Sequence, residues 1–259
     1  MLRVGVHYYA ELQKIVDAVD KAVFELVMPV VESEEPEYIA DSWGENVLSA
    51  IDRVKALFSG VAFDRMARQI ASTFVRSTLQ YSDRQNKRFG VEVFSGNSTK
   101  LNAYLEAATL QNVSLIKSIP ERYLENIANA ILTGMRAGVR PERIAQQLRE
   151  DMGVASRRAK FIARDQSAKI NGEIMKQRQI DAGFEFFKWV DSHDSRVRHR
   201  HKEIANADVG YGKGIYRWDD LPLSDKGEPI QPGQDYNCRC ISRAVRTSVA
   251  IRNKQNRKT

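Results

Sequence analysis

Both cysteines of the chain stand in one tripeptide, Cys238-Arg-Cys240. In extended backbone, residues i and i+2 face the same way. Two thiolates so placed could approach a single zinc ion at about 2.3 Å each. A disulfide between them would be strained, because its Cα separation and torsion are hard to reach at that spacing. Upstream, the polar run Asp191–Lys202 holds His193, Asp194, His199 and His201, and the last two again stand two residues apart. Sulfur with imidazole is a donor set that zinc prefers. Cys238 and Cys240 rank first as ligands and His201 next, with His199 and Asp194 competing for the remaining position. The competing reading packs the thiols as small apolar groups and leaves the histidines in a solvated loop.

Other chemistry is thinner. The sequence holds no glycine-rich phosphate loop, nucleophile elbow or H-E-x-x-H pattern. Gly210-Tyr-Gly-Lys-Gly214 reads as a turn, and Asp219-Asp220 as a solvated loop. Asp191, Asp194 and His201 could frame a metal-dependent hydrolase. A cysteine-rich closed site, however, leaves no free metal position for substrate. The expected zinc is therefore structural and the expected chain is not an enzyme.

The elements that must position these residues are helical at first. Leu12, Ile15, Val19, Val23 and Leu26 recur at three- and four-residue steps, as one buried helix stripe requires. Met28-Pro29 ends that run, and Glu32–Glu37 with Pro36 reads as a connection. A second helix carries Val47, Ile51, Val54 and Phe58; a third carries Phe63, Ala67, Ile70 and Phe74 and extends to about Lys87. Turn formers at Phe94–Thr99 make the main break, followed by a helix over Leu101–Ala108. Pro120 is expected to open a new helix through Met135, stopped by Gly138. A short helix follows from Pro141. Ser156 should cap a long basic helix ending at Gly183.

From Gly183 the pattern changes. Phe184–Val190 has strand composition, and the glycine and proline density after Gly210 argues for short strands and ordered loops up to residue 245. The fold class is α+β: helical N-terminal and middle regions, then a small irregular β-rich C-terminal unit, stapled by zinc if the ligands converge. The expected boundaries are 1–95, 100–245 and a basic mobile tail at 246–259.

Charge is uneven along the chain. Lys and Arg number 40 against 33 Asp and Glu, a net of +7. Residues 1–100 carry 12 basic and 14 acidic groups, and the rest carry 28 and 19. Clustered cations attract phosphate by counterion release without choosing a sequence. Arg157, Arg158, Lys160 and Arg164 on the basic helix, and Arg252, Lys254, Arg257 and Lys258 in the tail, are the candidate nucleic-acid contacts. The plainer reading of each is a solvated face. No apolar run reaches the roughly 20 residues of a membrane span, and MLRVGVHYYAEL lacks a signal-peptide pattern. A soluble, intracellular chain is expected.

Four blocks then acquire a joint meaning. Leu115–Leu124 (LIKSIPERYL), Arg157–Arg164 (RRAKFIAR), Trp189–Arg198 (WVDSHDSRVR) with His201, and Pro232–Cys240 (PGQDYNCRC) together resemble the phage head morphogenesis family. The resemblance covers about residues 100–245, with matches at Trp189, Asp194, Arg196, Arg198, His201, Cys238 and Cys240. Arg198 stands where some relatives carry a cysteine. The resemblance implies a minor capsid protein of a tailed phage, associated with the portal or inner capsid during head assembly. Its partners would be the portal protein, a major capsid or scaffold protein, and double-stranded DNA held nonspecifically. Its location would be the virion, with host cytoplasm during assembly and ejection with the genome in some phages. The alternative function is a metal-dependent nuclease, and a third is a host nucleic-acid-binding module with structural zinc.

Overall fold

The structure is a computed structural model that describes residues 3–33, 40–94, 96–151 and 154–256. The described chain forms helices α1 (Arg3–Leu26), α2 (Met28–Val31), α3 (Ala40–Leu57), α4 (Val61–Arg88), α5 (Thr99–Arg136), α6 (Pro141–Asp151) and α7 (Val154–Asp181). Strand β1 (Phe186–Val190), helix α8 (His199–Asn206), strands β2 (Ile215–Arg217) and β3 (Ile241–Val245), and helix α9 (Thr247–Asn256) complete it. This is the expected α+β class. No helix among the described residues is long and apolar enough to cross a membrane.

Two compact units are built from interleaved segments. One comprises residues 7–72 and 109–163. Its interior is the stripe of α1 (Leu12, Ile15, Val16, Val19, Val23), that of α3 (Val47, Ile51, Val54) and apolar faces of α5 and α6, including Ile127, Ile131, Ile144 and Leu148. Each stripe follows from helical periodicity, since only a 3.6-residue turn brings these positions to one side. Pro29 falls in the first turn of α2, where its missing N–H leaves no bond unmade. The Trp43 indole then donates to the Val30 carbonyl (3.1 Å), tying α3 to α2.

Three expectations change here. Pro120 does not open a helix but lies inside α5, which runs 38 residues. A proline forfeits one backbone bond and crowds the carbonyl four residues back. The apolar face formed by buried Val113, Ile116, Ile119, Tyr123 and Leu124 outweighs that cost. Ser156 is not a cap: α7 has already begun, and its hydroxyl accepts a bond from Gln13 (2.9 Å). Of the residues expected as a mobile tail, 247–256 form α9, seated by the fully buried Ala250 against Phe186 and Ile215, and 257–259 lie outside the described residues. Residues 34–37 of the expected Glu32–Glu37 connection lie outside the described residues.

The other unit comprises residues 1–6, 73–108 and 164–259. Its sheet has the order β2-β1-β3, antiparallel throughout. Phe186 pairs with Val245 and Val190 with Ile241, while Lys188 pairs with Ile215 on the other edge. Strand alternation sends Phe187, Trp189 and Tyr216 to one face. There they pack with Trp218, Ile204, Ile230 and both cysteines. The Phe187 and Trp218 rings stack at 3.9 Å. Helix α7 ends at a turn in which Gly183 has φ 81° and Phe184 N–H reaches back to the Gln179 carbonyl (2.9 Å).

Candidate metal centre

The cysteine tripeptide is held by the turn before it. Cys238 N–H donates to the Asp235 carbonyl (3.1 Å), and Asn237 takes the left-handed conformation, φ 53°. Asn237 N–H donates to the carboxylate of Asp165 on α7 (3.1 Å), which is buried and also pairs with Lys169 (2.7 Å). The loop approaches α7 so closely that two glycines are required. A Cβ on Gly172 would stand 2.4 Å from the Pro232 carbonyl oxygen, and one on Gly233, at φ +89°, 2.6 Å from that of Ala168. Both are backbone atoms that no rotamer change can move aside.

Across 238–240 the two thiols are buried and Arg239 between them is partly exposed. Arg239 meets Asp194 through both guanidinium nitrogens, with Nη2 donating to Oδ1 at 2.6 Å. That bidentate bond, helped by Arg196 N–H, holds the Asp194 carboxyl well below the usual carboxylate range.

His201 enters from α8. Because α8 is helical, His199 and His201 lie about 200° apart around its axis rather than on one side. His201 is buried, while His199 is 89% exposed and pairs with Glu203 (3.2 Å). Nδ1 of His201 lies 3.6 Å from Cys238 Sγ and 3.6 Å from Cys240 Sγ. Its Nε2 faces the Asp235 carboxylate at 3.5 Å, which Arg198 also approaches (3.2 Å). The Trp189 ring meets the imidazole edge-on at 5.3 Å.

Of the expected ligands, then, Cys238, Cys240 and His201 converge, and all three are buried. Asp194 and His199 do not join them: one is engaged by Arg239 and the other faces solvent. His193 is also drawn off, its ring and N–H both on Asp191 (2.8 and 2.7 Å).

The donor set fits a tetrahedral ion. Bonds of about 2.3 Å to sulfur and about 2.0 Å to nitrogen at a tetrahedral angle put the two atoms about 3.5 Å apart. The observed 3.6 Å separations match that value. The electrostatics fit as well. A hydrogen bond from Cys240, aided by His201, brings the Cys238 thiol down to about 4 against the opposition of burial. Cys240 is pushed up by its hydrogen bond to Cys238 and by burial. Thiolate is the form that binds metal. The Trp189 indole N–H is buried with no oxygen or nitrogen acceptor and favours the Cys240 thiolate. Among the described residues no fourth side chain joins the three. A cavity of about 140 Å³ lies beside both cysteines, walled by Arg164, Ala168, Asn171, Arg239 and Ile241.

The candidate nucleic-acid contacts are scattered. Arg157 and Lys160 are exposed. Arg158 instead donates to Ser118 Oγ (2.7 Å), and burial with Arg122 nearby lowers its pKa. Arg164 is half-buried in the wall of the cavity beside the cysteines. Arg252 and Lys254 are exposed on α9, the latter 5.2 Å from the Tyr211 ring. Arg257 and Lys258 lie outside the described residues. The glycine turn is confirmed: Asp208 accepts the N–H groups of Gly210 (2.8 Å) and Gly212 (3.0 Å).

The model of the family described as "Phage Mu protein F like protein" matches residues 125–243. That match, over a little under half of the chain, supports a likeness of this region to the phage head morphogenesis family. The match contains all three converging ligands, Trp189 and Asp235. An uncharacterized protein of Haemophilus influenzae (strain ATCC 51907 / DSM 11121 / KW20 / Rd) is 30% identical over 213 residues, 79% of this chain and 45% of that protein. The chain thus spans less than half the length of that relative. No solved structure matches the chain.

Proposed function

We propose that the chain is a minor head protein of a tailed phage that acts at the portal or inner capsid during assembly. Its β-bearing unit would be stapled by a structural zinc ion. The observation that carries this reading is the Mu F-like match at 125–243, a region that also contains the buried His201–Cys238–Cys240 group. His201, Cys238 and Cys240 would hold the ion. Bound there, zinc would supply a cross-link between α8 and the cysteine loop, not catalysis. Burial of the two thiols and the imidazole beneath Trp189 favours the structural role, which would take a fourth donor besides these three side chains. The outward faces of the helices in 7–72 and 109–163, opposite their buried stripes, would supply the protein-binding surface toward portal, scaffold or major capsid protein. DNA would be held nonspecifically through exposed cations such as Arg157 and Lys160.

Quantitative mass spectrometry of gradient-purified particles tests the reading. A few copies per head, set against portal and major capsid protein, support it; absence from both procapsids and virions overturns it. Metal analysis of the purified chain should give close to one zinc per chain.

The cavity beside the cysteines favours a second reading, in which a metal-dependent nuclease keeps an open coordination position there. It requires DNA cleavage that a chelator abolishes.

A further inference from the structure

Lys188 on β1 and Arg243 on β3 are directly opposed partners in the antiparallel register. Side chains so paired share one face of the sheet, with Cβ atoms about 5 Å apart. Both are exposed. Like charges in this arrangement repel and destabilise a sheet. Neither takes part in any ion pair among the described residues. The sheet therefore carries an uncompensated pair of cations where an acid on either strand would have stabilised it.

More cations adjoin the pair. The Arg243 guanidinium lies 5.8 Å from the Phe89 ring, which brings β3 to the last turn of α4 and its exposed Lys87 and Arg88. Arg246 follows β3 directly and is exposed; α9 comes next, with Arg252 and Lys254 and no acidic residue. Lys87, Arg88, Arg246, Arg252 and Lys254 are likewise in none of those ion pairs. The cations lie on a strand pair and two flanking helices rather than around a cavity. A small anion would find no enclosure there. A long polyanion, with phosphates at regular spacing, would find several partners at once.

We infer that this face of the β-bearing unit, centred on Lys188 and Arg243, is a docking surface for the phosphate backbone of double-stranded DNA. The inference rests on the DNA contact of the proposed function and moves its centre to the sheet, away from the cations of α7. Binding there releases counterions and screens the Lys188–Arg243 repulsion, so affinity and the stability of the sheet rise together.

Lys188→Glu separates this role from a solvated surface. The substitution converts a repulsive cross-strand pair into an attractive one, so the free protein should melt at the same or a higher temperature. Anisotropy of the full chain with a labelled duplex of about 30 base pairs, titrated between about 50 and 200 mM salt, should show affinity falling at least tenfold. The plot of log affinity against log salt should become shallower by about one to two. Arg243→Gln, which leaves no new ion pair, should weaken binding in the same direction and guards against a Lys188→Glu chain that folds poorly. Arg157→Gln/Lys160→Gln serves as the comparison. If the wild type binds and only the α7 variant weakens, the sheet inference is overturned while DNA contact stands. If the wild type does not bind duplex at about 50 mM salt, both fall.

Discussion

The interior of the helical unit at 7–72 and 109–163 and that of the unit bearing the cysteines are made of different material. Of the fifteen buried polar or charged residues described, only Asn112 belongs to the first, where it accepts a bond from Tyr8 (3.0 Å). The other fourteen, from Thr78 to Ser242, belong to the second. Apolar stripes tolerate exchange among residues of similar volume, because dispersion and burial have no direction. A polar interior is stable only while each partner is in place, since an unpaired buried group costs about 1–3 kcal/mol and an unpaired charge more. Arg178 shows the difference. Only 5% of its side chain is exposed, and it donates to Asp83 (2.9 and 3.1 Å), the Gly96 carbonyl (2.8 Å) and Asn97 (2.7 Å). Next to that network sits a small sheet whose core includes two thiols and an imidazole. The zinc staple proposed above would act in the second unit and would add little to the first.

The contrast is broken most directly at the sulfurs. Cys238→Ser/Cys240→Ser should abolish zinc binding. It should also melt the residues around β1 and β3 well below the helical stripes of 7–72, giving two thermal transitions by circular dichroism. Zinc binding to such sets is linked to folding by about 10 kcal/mol in small peptides, so the effect should exceed any other single change. A single transition at the wild-type temperature, with zinc absent from both proteins, would sink the staple. Next in size is Arg178→Met, expected to cost about 3–5 kcal/mol in denaturant unfolding, because Asp83 keeps its charge and loses its partner. Its counterpart is Tyr8→Phe, which removes one buried bond at a cost of about 1 kcal/mol. Equal effects of the two would erase the distinction between the interiors.

Much of this was legible from residue order. Val19, Val23, Ile51 and Val54 are buried as their periodicity requires, because helix faces are decided by local spacing. Gly138 and Gly183 end helices because little else accepts φ 66° and φ 81° there. Cys238, Cys240 and His201 stood out by residue type. The misreadings share a cause: tertiary packing overrode a local signal. Pro120 is a helix breaker by composition, yet its neighbours' apolar face carries α5 through it. His199 and His201 look equivalent until α8 separates them. Asp235 and Asp165 were missed because a carboxylate three residues before a cysteine, or on a helix far upstream, has no pattern. Their roles exist only once the turn at 235–238 folds against α7. The interleaving of segments in the two units is invisible to periodicity for the same reason.

A finer test lies in the outer shell of the site. The Asp235 carboxylate on His201 Nε2 fixes the ring so that Nδ1 faces the sulfurs, the arrangement by which outer carboxylates orient metal-bound histidines. Asp235→Asn should keep one zinc per chain but weaken its affinity about 10- to 100-fold in competition with a chromophoric chelator. Unchanged affinity would reduce Asp235 to a partner of Arg198.

Asp194→Asn should do the least, and its small effect is informative. Its carboxylate is spent on Arg239, so zinc stoichiometry and affinity should both match wild type. What is lost is the ion pair, and the sign of its pH dependence is set by the lowered pKa of Asp194. A carboxyl held below its unfolded value stabilises the fold at and above the ordinary carboxylate range and loses that contribution as the pH falls through the folded value. The variant should therefore melt slightly below wild type near neutrality, and the gap should close in acid. A gap that persists there, or zinc lost at neutral pH, would return Asp194 to the ligand set and make the site one that spans the turn after β1, not one closed between α8 and the cysteine loop.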